Sequence, residues 1–289
     1  MRTPTKLLTL TAAGLVAAAA TSAPATAAPT KQARASWAPA ASAAIHPGVQ
    51  MYTDGAQCTA NFVFTDTAGT TYVGYAAHCA GTGEATDTNG CDAGSLPLGT
   101  KVDFVEGGSL VSEGTRVGGG TLVYSSWLAM QRNGETDENV CAYNDLALVR
   151  VDAADAGKVN PSVPFWGGPV AVNTTGTAAG DTAYSYGNSS LRAGVEQLSP
   201  KQGASLGTEG GGWSHPVYTV TPGVPGDSGS AFLDAEGNAL GTLSTLALAP
   251  LAGSNGVGDL AHELSYAQAA SGIAGLRLVP GTEPFSPIL

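Results

Sequence analysis

Three short runs of the chain contain the residue types that catalysis by a serine nucleophile needs. His78 lies in an Ala-Ala-His-Cys run, Asp145 in Asn-Asp-Leu-Ala-Leu, and Ser228 in Pro-Gly-Asp-Ser-Gly-Ser. A serine hydroxyl is a weak nucleophile at neutral pH unless an imidazole accepts its proton during the attack. A buried carboxylate holds that imidazole in one tautomer and stabilises the positive charge that it acquires. The three residues therefore predict a catalytic triad, provided that the fold brings them together.

The surroundings of Ser228 and Asp145 fit these roles. Gly226 and Gly229 flank the serine closely, and glycine allows the backbone to turn sharply there. The backbone N–H groups of Gly226 and Ser228 are therefore expected to form an oxyanion hole, which stabilises a tetrahedral intermediate. The Leu-Ala-Leu-Val run after Asp145 predicts a buried strand that keeps the carboxylate in place.

The elements that must position these residues are short and β-rich. Only 12% of the 289 residues are charged and 40 are glycine, whereas an average soluble protein has roughly 25% charged residues. This composition predicts an all-β protein of two antiparallel barrels or sandwiches. One helix is predicted, from 260 to about 273, with Asp259 as its N-cap. The glycine runs 118–120 and 210–212 are predicted as loops. The predicted strands are 60–65, 71–75, 101–105, 120–124, 146–151, 182–186, 195–198, 217–221, 231–233 and 240–245.

Together the three runs resemble the motifs of the chymotrypsin-like (trypsin superfamily) serine proteases, in particular secreted bacterial ones. Ala76–Cys79 matches the histidine motif Thr/Ala-Ala-His-Cys, and Asp145–Leu148 matches the aspartate motif Asp-Ile/Leu-Ala-Leu. Gly226–Ser230 matches the nucleophile motif Gly-Asp-Ser-Gly-Gly at four of its five positions. The order histidine, aspartate, serine is also that of the family. The similarity extends over 57–276, most of the chain.

The resemblance implies both a fold and an activity. The expected fold is all-β, with two antiparallel six-stranded β-barrels, the active site between them and a C-terminal helix. The expected activity is that of a secreted serine endopeptidase that forms an acyl-enzyme intermediate. Two other functions compete with it. A catalytically silent relative would use the barrels for binding, and an α/β-hydrolase esterase would need Gly-x-Ser-x-Gly and the order serine, aspartate, histidine, which this chain lacks.

The four cysteines predict two disulfides in an exported protein. They allow three pairings, and their spacing contains no Cys-x-x-Cys pair of the kind that binds zinc. The resemblance implies one pairing, in which Cys79 is bonded to Cys58 and Cys91 to Cys141. No metal site and no cofactor are expected. The remaining histidines, His46, His215 and His262, are expected to have surface or structural roles.

The resemblance also assigns residues around the triad. Ser244 is expected to support Asp145 and contact the substrate backbone, with Thr245 and Leu246 beside it in the substrate-binding pocket. The region around Pro222 lacks the aspartate that would select lysine or arginine, so a small or apolar preference is expected. Asp227, next to the nucleophile, often pairs with a newly cut N-terminus in the family. The run 45–48, Ile-His-Pro-Gly, matches such an N-terminus only loosely, so Asp227 is expected to have another partner or none.

Residues 1–27 are predicted to be a secretory signal peptide. Arg2 and Lys6 precede an uncharged stretch, 7–20, that is too short to span a membrane, and the run Ala25-Thr26-Ala27 offers a cleavage site. The expected domains are then a linker or pro-segment (28–44), an N-terminal barrel (45–155) and a C-terminal barrel with terminal helix and tail (156–289).

The charge of the mature chain bears on its partners. Cleavage after residue 27 would leave 10 basic and 23 acidic residues, a net charge of −13. Such an acidic surface repels phosphate backbones, which excludes nucleic acid as an expected partner. A protein or peptide substrate, an extracellular location, no membrane contact after cleavage and a monomeric state are expected.

Overall fold

The computed structural model describes residue 1 and the ranges 36–83, 88–247 and 253–287. Apart from Met1, the predicted signal peptide lies outside the described residues, and so do residues 28–35 of the predicted linker. The described residues from 36 onward belong to one compact unit. No helix in these ranges is long and apolar enough to cross a membrane.

The described part of the chain is built mainly from short strands. The α-helices are α1 (Ser126–Asn133), α2 (Glu138–Tyr143) and α3 (Leu260–Ala270). The strands are β1 (Gln50–Thr53), β2 (Ala56–Thr59), β3 (Val63–Thr65), β4 (Thr71–Ala76), β5 (Lys101–Glu106), β6 (Thr115–Ser125), β7 (Leu146–Val151), β8 (Ala179–Tyr186), β9 (Pro200–Leu206), β10 (Ser214–Thr219), β11 (Ala231–Leu233), β12 (Ala239–Ala247), β13 (Ser254–Asp259) and β14 (Arg277–Leu278).

These strands form two antiparallel layers. The first is an eight-stranded sheet in the order β14-β3-β4-β7-β6-β5-β1-β2, and the second is a closed six-stranded barrel in the order β10-β13-β12-β11-β8-β9. With α3 near the C-terminus, this architecture confirms the predicted fold class. The first sheet has more strands than the six expected, and its edge strand β14 comes from the C-terminal end of the chain, where it pairs with β3.

The centre of the first sheet places two of the predicted site residues side by side. β4 is buried along its whole length, and β7 is buried except at Arg150. The two strands are antiparallel neighbours, with Ala76 opposite Leu146. His78 follows the end of β4 and Asp145 precedes the start of β7. Because the strands run in opposite directions, this register brings both residues to the same edge of the sheet.

The barrel positions Ser228 in a similar way. Ser228 lies in the loop before β11, and β11 pairs with β12 with Ala231 opposite Thr242. The pairing of β12 with β13 shifts between Leu243 and Thr245, so Ser244 lies at a bulge. A bulge turns a side chain out of the regular alternation of a strand. Ser244 thereby leaves the barrel wall and faces the site.

The predicted C-terminal helix is present as α3. Asp259 caps it, as predicted, because its Oδ1 accepts a hydrogen bond from the backbone N–H of His262 at 2.8 Å. Leu260, Leu264 and Ala267 are buried against the core, as their spacing predicted.

Several local predictions were wrong. The stretch 195–198 was predicted as a strand, but it ends in a 3₁₀ turn, and Val195 and Leu198 are exposed. The preceding Ala193 and Gly194 have positive φ, which interrupts an extended conformation. Helices α1 and α2 were not predicted, because each is short, with eight and six residues.

The glycine run 118–120 was predicted as a loop but lies within β6. A β-carbon on Gly118 would lie 2.8 Å from Ile45 Cδ1, and one on Gly120 would lie 2.6 Å from the carbonyl oxygen of Arg150. The run therefore serves close packing, which a sequence pattern does not distinguish from a flexible turn.

The described end of the predicted linker, 36–44, is attached to the body of the protein. The Ala38 N–H donates to the Val159 carbonyl at 2.9 Å, and the Asn160 side-chain amide donates to the Ala38 carbonyl at 2.7 Å. Ala43 is buried. This part of the segment therefore shares the core of the first sheet.

Two disulfides are present, joining Cys58 to Cys79 and Cys91 to Cys141. This is the pairing that the resemblance implied. The first bond attaches the segment of His78 to β2. The second attaches the loop after His78 to α2, just before Asp145.

Removal of the Cys91–Cys141 bond should lower the free energy of unfolding substantially. The bond closes a loop with a sequence separation of 50 residues, for which the chain-entropy model gives about 4 kcal/mol. We expect the double variant Cys91→Ala, Cys141→Ala to show this loss in urea unfolding and a lower Tm. An unchanged Tm would show that the bond does not restrain the folded chain.

Candidate active site

The side chains of His78 and Asp145 form a tight pair at the edge of the first sheet. His78 Nδ1 and Asp145 Oδ2 are 2.6 Å apart, and the backbone N–H of His78 donates to Asp145 Oδ1 at 2.8 Å. Because an ionised carboxylate only accepts hydrogen bonds, the ring proton lies on Nδ1. Nε2 is then left with a lone pair that can accept a proton.

Ser244 completes the support of the carboxylate. Its hydroxyl, which belongs to the barrel strand β12, donates a hydrogen bond to Asp145 Oδ2 at 2.6 Å. The bulge in β12 therefore has a consequence at the site, since it sends this hydroxyl toward the first sheet. This is the position that the resemblance implied for Ser244.

Asp145 changes the proton affinity of His78. Burial works to lower the pKa of His78, but the negative charge of Asp145 and its hydrogen bond outweigh burial and raise the pKa above its usual value. The histidine is thus a stronger base than a free imidazole, and its side chain is still 26% exposed.

Ser228 lies in a turn that packs directly against the first sheet. Its carbonyl accepts a hydrogen bond from the Thr59 N–H at 2.8 Å, and the N–H of Gly229 donates to the Leu243 carbonyl at 2.7 Å. Gly229 has a φ of +89°, and a β-carbon there would lie 2.4 Å from the Thr59 carbonyl oxygen. Glycine is therefore required after Ser228, because no other residue fits this approach.

Two peptide groups beside Ser228 are fixed through their carbonyl oxygens. Ser189 Oγ donates to the Pro225 carbonyl at 2.5 Å. The Asp227 carbonyl accepts hydrogen bonds from both the backbone N–H and the hydroxyl of Ser230. In a trans peptide the N–H points opposite to the carbonyl, so these contacts also fix the N–H groups of Gly226 and Ser228.

Neither N–H group has an acceptor among the described residues. Gly226 adopts a φ of +95°, and the N–H of Ser228 belongs to the peptide that Ser230 fixes. Two preorganised and unpaired donors next to a serine are what an oxyanion hole requires. The serine that replaces the family's last motif glycine thus helps to fix this turn, because its hydroxyl binds the Asp227 carbonyl.

Asp227 is fully buried and bound to two cations. Its Oδ2 lies 2.5 Å from Arg192 Nη2 and 2.6 Å from Lys201 Nζ, and both cationic side chains are largely or completely buried. Its oxygens also accept the backbone N–H groups of Ser189 and Val224. Burial works to raise the pKa of Asp227, but Lys201 and Arg192 outweigh it and lower the pKa.

Asp227 therefore has a partner, although not a chain terminus. Ile45 begins the run that loosely matches a newly cut N-terminus. It is buried in the core, and its N–H donates to the Lys158 carbonyl at 3.2 Å. Sequence reasoning did not identify Arg192 or Lys201. A buried lysine has no distinguishing local pattern, since lysines are normally exposed.

One cavity of about 400 Å³ contains the site residues. His78, Asp145 and Ser228 all contribute to its wall, but within the described residues no hydrogen bond joins His78 to Ser228. The predicted Ser244, Thr245 and Leu246 lie on the same wall. Sequence reasoning missed the other described lining residues, which are Thr88, Trp127, Val224, Pro225 and Leu243.

Trp127 enters the cavity wall because of the unpredicted helix α1. Its ring centroid lies 6.5 Å from that of His78. The helix follows β6 and precedes α2, which the Cys91–Cys141 bond attaches to the loop after His78. The wall beside the histidine is therefore a segment that the disulfide keeps in place.

The other histidines bind protein groups. His215 is buried, and its Nε2 lies 2.8 Å from Asp259 Oδ2, while His262 Nδ1 lies 2.7 Å from Asp259 Oδ1. Cys58, His78 and Cys79 lie close enough to one another to surround a metal ion. The two sulfur atoms are bonded to each other, however, and a disulfide offers no thiolate ligand.

Comparison with known proteins gives similarity in structure only. No protein-family model and no curated protein matches the chain. Thermobifida fusca protease A is 18% identical, with 82% of this chain and 99% of that chain covered and a TM-score of 0.48. Nocardiopsis protease is 18% identical, with coverages of 81% and 98% and a TM-score of 0.44. Cellulomonas bogoriensis chymotrypsin is 18% identical, with coverages of 81% and 98% and a TM-score of 0.45. At these values, the activity of this chain has to be inferred from its own residues.

The substitution Asp145→Asn should lower the pKa of His78. An amide removes the charge that raises this pKa and leaves the burial that lowers it, so the value should fall below the roughly 6.5 of a free histidine. NMR titration of the His78 ring measures it. Asp234→Asn, a change at another buried acid, is the control and should leave the titration as in the wild type. An unchanged His78 titration in Asp145→Asn would contradict the assigned role of the carboxylate.

Lys201→Met should destabilise the fold strongly. Removing one partner from a buried ion pair typically costs about 3–5 kcal/mol when the other charge is left unpaired. Because Arg192 still pairs with Asp227, the loss should lie near the lower end of this range. Lys101→Met is the matched control, since Lys101 is exposed and lies 3.7 Å from Asp152; it should change stability by less than about 1 kcal/mol. Urea unfolding of both variants measures the two losses of stability. Equal losses would show that the buried ion pairs of Asp227 contribute no more to stability than the exposed pair of Lys101.

Proposed function

We propose that the chain is a secreted serine endopeptidase that hydrolyses peptide bonds with His78, Asp145 and Ser228. The observation that carries this proposal is their arrangement in one cavity. His78, which is held by the buried Asp145, lines the cavity. Ser228, which is flanked by two unpaired backbone N–H groups, lines the same cavity. Each group has the chemistry that acyl transfer needs, and the resemblance of the three motifs supports the same function.

The reaction begins with attack of Ser228 Oγ on the substrate carbonyl carbon. His78 Nε2 accepts the hydroxyl proton, for which the serine must come within hydrogen-bonding distance of the ring when substrate binds, as catalytic pairs often do. Asp145 stabilises the imidazolium that results. The negative charge on the substrate oxygen is stabilised by the N–H groups of Gly226 and Ser228.

Collapse of this intermediate breaks the peptide bond. His78 gives its proton to the leaving amine, and the substrate acyl group remains as an ester on Ser228. A water molecule then attacks the ester, with His78 again accepting a proton. Hydrolysis of the ester releases the acid product and restores the serine, so all atoms and protons balance without a cofactor or a metal ion.

The cavity wall supports a preference for small or apolar residues before the cleaved bond. Val224, Leu243 and Leu246 line it, and apart from His78 and Asp145 no described lining residue is titratable. A lysine or arginine side chain would enter without an opposite charge to bind it. The disulfides support the extracellular location.

Ser228→Ala should abolish activity while the fold is retained. Loss of a triad nucleophile typically costs about 10⁶-fold in kcat. The first measurement is the reaction of the wild-type protein with a fluorophosphonate probe, followed by mass mapping of the adduct. An adduct on Ser228 that is lost in Ser228→Ala and in His78→Ala is the expected result.

Two other results would contradict the proposal. No adduct on the correctly folded wild type would favour the alternative, a catalytically silent relative that uses this fold for binding. An adduct at another residue would place the nucleophile elsewhere. Circular dichroism of each variant supplies the control for folding.

A further inference from the structure

A second carboxyl group lies directly behind Asp145. Glu263 is on the first turn of α3 and is completely buried. Its Oε1 accepts a hydrogen bond from the backbone N–H of Asp145 at 3.1 Å, and its Oε2 is hydrogen-bonded to Thr242 Oγ1 at 2.9 Å. It therefore joins the residue that precedes β7 to a residue of the barrel strand β12.

The surroundings are shaped to accommodate this carboxyl group. A β-carbon on Gly258 would lie 2.5 Å from Glu263 Oε1 and 3.0 Å from the Tyr143 carbonyl oxygen, so only glycine leaves the space free. Thr242 is in turn bound by the side-chain amide of Asn61 at 3.2 Å. Each carboxyl oxygen of Glu263 thus has its own hydrogen-bond partner, the Asp145 N–H or the Thr242 hydroxyl, within a closely packed interior.

The charges around Glu263 disfavour its ionised form. Asp145 and Asp259 face it, and Tyr124 also lies within electrostatic range on β6. In the described part of the chain, no lysine or arginine forms an ion pair with it. Burial, with both aspartates adding to it, raises the pKa of Glu263 well above its usual value, although its hydrogen bonds oppose the shift.

We propose that Glu263 is a positioning residue for the triad, an uncharged acid that fixes the backbone of Asp145 without adding a second negative charge beside it. This inference rests on the proposed function and goes beyond it. The Asp145 N–H belongs to the residue whose carboxylate binds His78, so loss of its acceptor lets that carboxylate move relative to the ring. An ionised Glu263 would add its charge to the field at His78.

The test compares Glu263→Gln with Glu263→Ala. Glutamine keeps the carbonyl acceptor and has no charge, so kcat and the pH midpoint of kcat/KM should stay close to those of the wild type. Alanine removes the acceptor, and small displacements of catalytic groups cost up to about 10²-fold, so kcat should fall by 10-fold or more with little change in KM. Asp234→Ala is the matched control, because Asp234 is a buried acid that accepts the backbone N–H groups of Glu236 and Asn238. It should lower stability without lowering kcat.

Two results of this comparison would overturn the proposal. One is a wild-type kcat in Glu263→Ala. The other is a loss in Glu263→Gln as large as in Glu263→Ala, or a shifted pH midpoint, because either would show that the glutamate acts as a charge.

Two measurements on folded protein do not depend on activity. In the Ser228→Ala background, the amide hydrogen of Asp145 should exchange faster in Glu263→Ala than in Glu263→Gln. The carboxyl ¹³C shift of Glu263 should show ionisation only at a pH well above that of an ordinary glutamate. Equal exchange rates would overturn the proposal. Ionisation of Glu263 near the usual pKa would overturn it too, and because this titration does not use Glu263→Ala, it still decides if that variant fails to fold. A wild-type protein that does not react with the probe would instead contradict the proposed function, and these two measurements would still decide whether Glu263 holds Asp145.

Discussion

The hydrogen bonds of the Asp145 carboxylate connect the two halves of the structure at the site. Oδ1 accepts the backbone N–H of His78, and Oδ2 is bound both to the ring of His78 from the first sheet and to the hydroxyl of Ser244 from the barrel. Since a carboxylate only accepts, every one of these contacts orients its donor. The tautomer of the histidine depends on this one group, which also joins the sheet and the barrel at the cavity.

Three buried acids near the site are stabilised in three different ways. Asp227 is bound to Arg192 and Lys201. Asp145 has the hydrogen bonds of a histidine and a serine, and Glu263 has backbone and hydroxyl partners without any cation. Burial works to raise the pKa of both Asp227 and Glu263, and only Asp227 has cations that reverse the shift. Of the three acids, Asp145 is the one whose carboxylate binds the ring of His78.

Much of the fold and the central residues could be predicted from the sequence, because their signals are local. Short β-rich and apolar runs indicated β4 and β7, and the turn around Ser228 depends on glycines that are neighbours in the chain. Glu263 and Lys201 escaped prediction because their roles depend on contacts between distant segments. Glu263 meets Asp145 across 118 residues, and Lys201 meets Asp227 across 26. By residue type alone both would be placed on the surface.

The pairing of β14 with β3 has a consequence for the order in which the protein can be completed. Leu278 lies opposite Phe64, so the sheet that carries His78 and Asp145 obtains its edge strand from the far end of the chain. A polypeptide is made from its N-terminus, and contacts of large sequence separation form late. The sheet with His78 and Asp145 therefore obtains its last strand only after the segment with Ser228 has been synthesised. A chain that has been synthesised only as far as the barrel therefore lacks the edge strand of the first sheet.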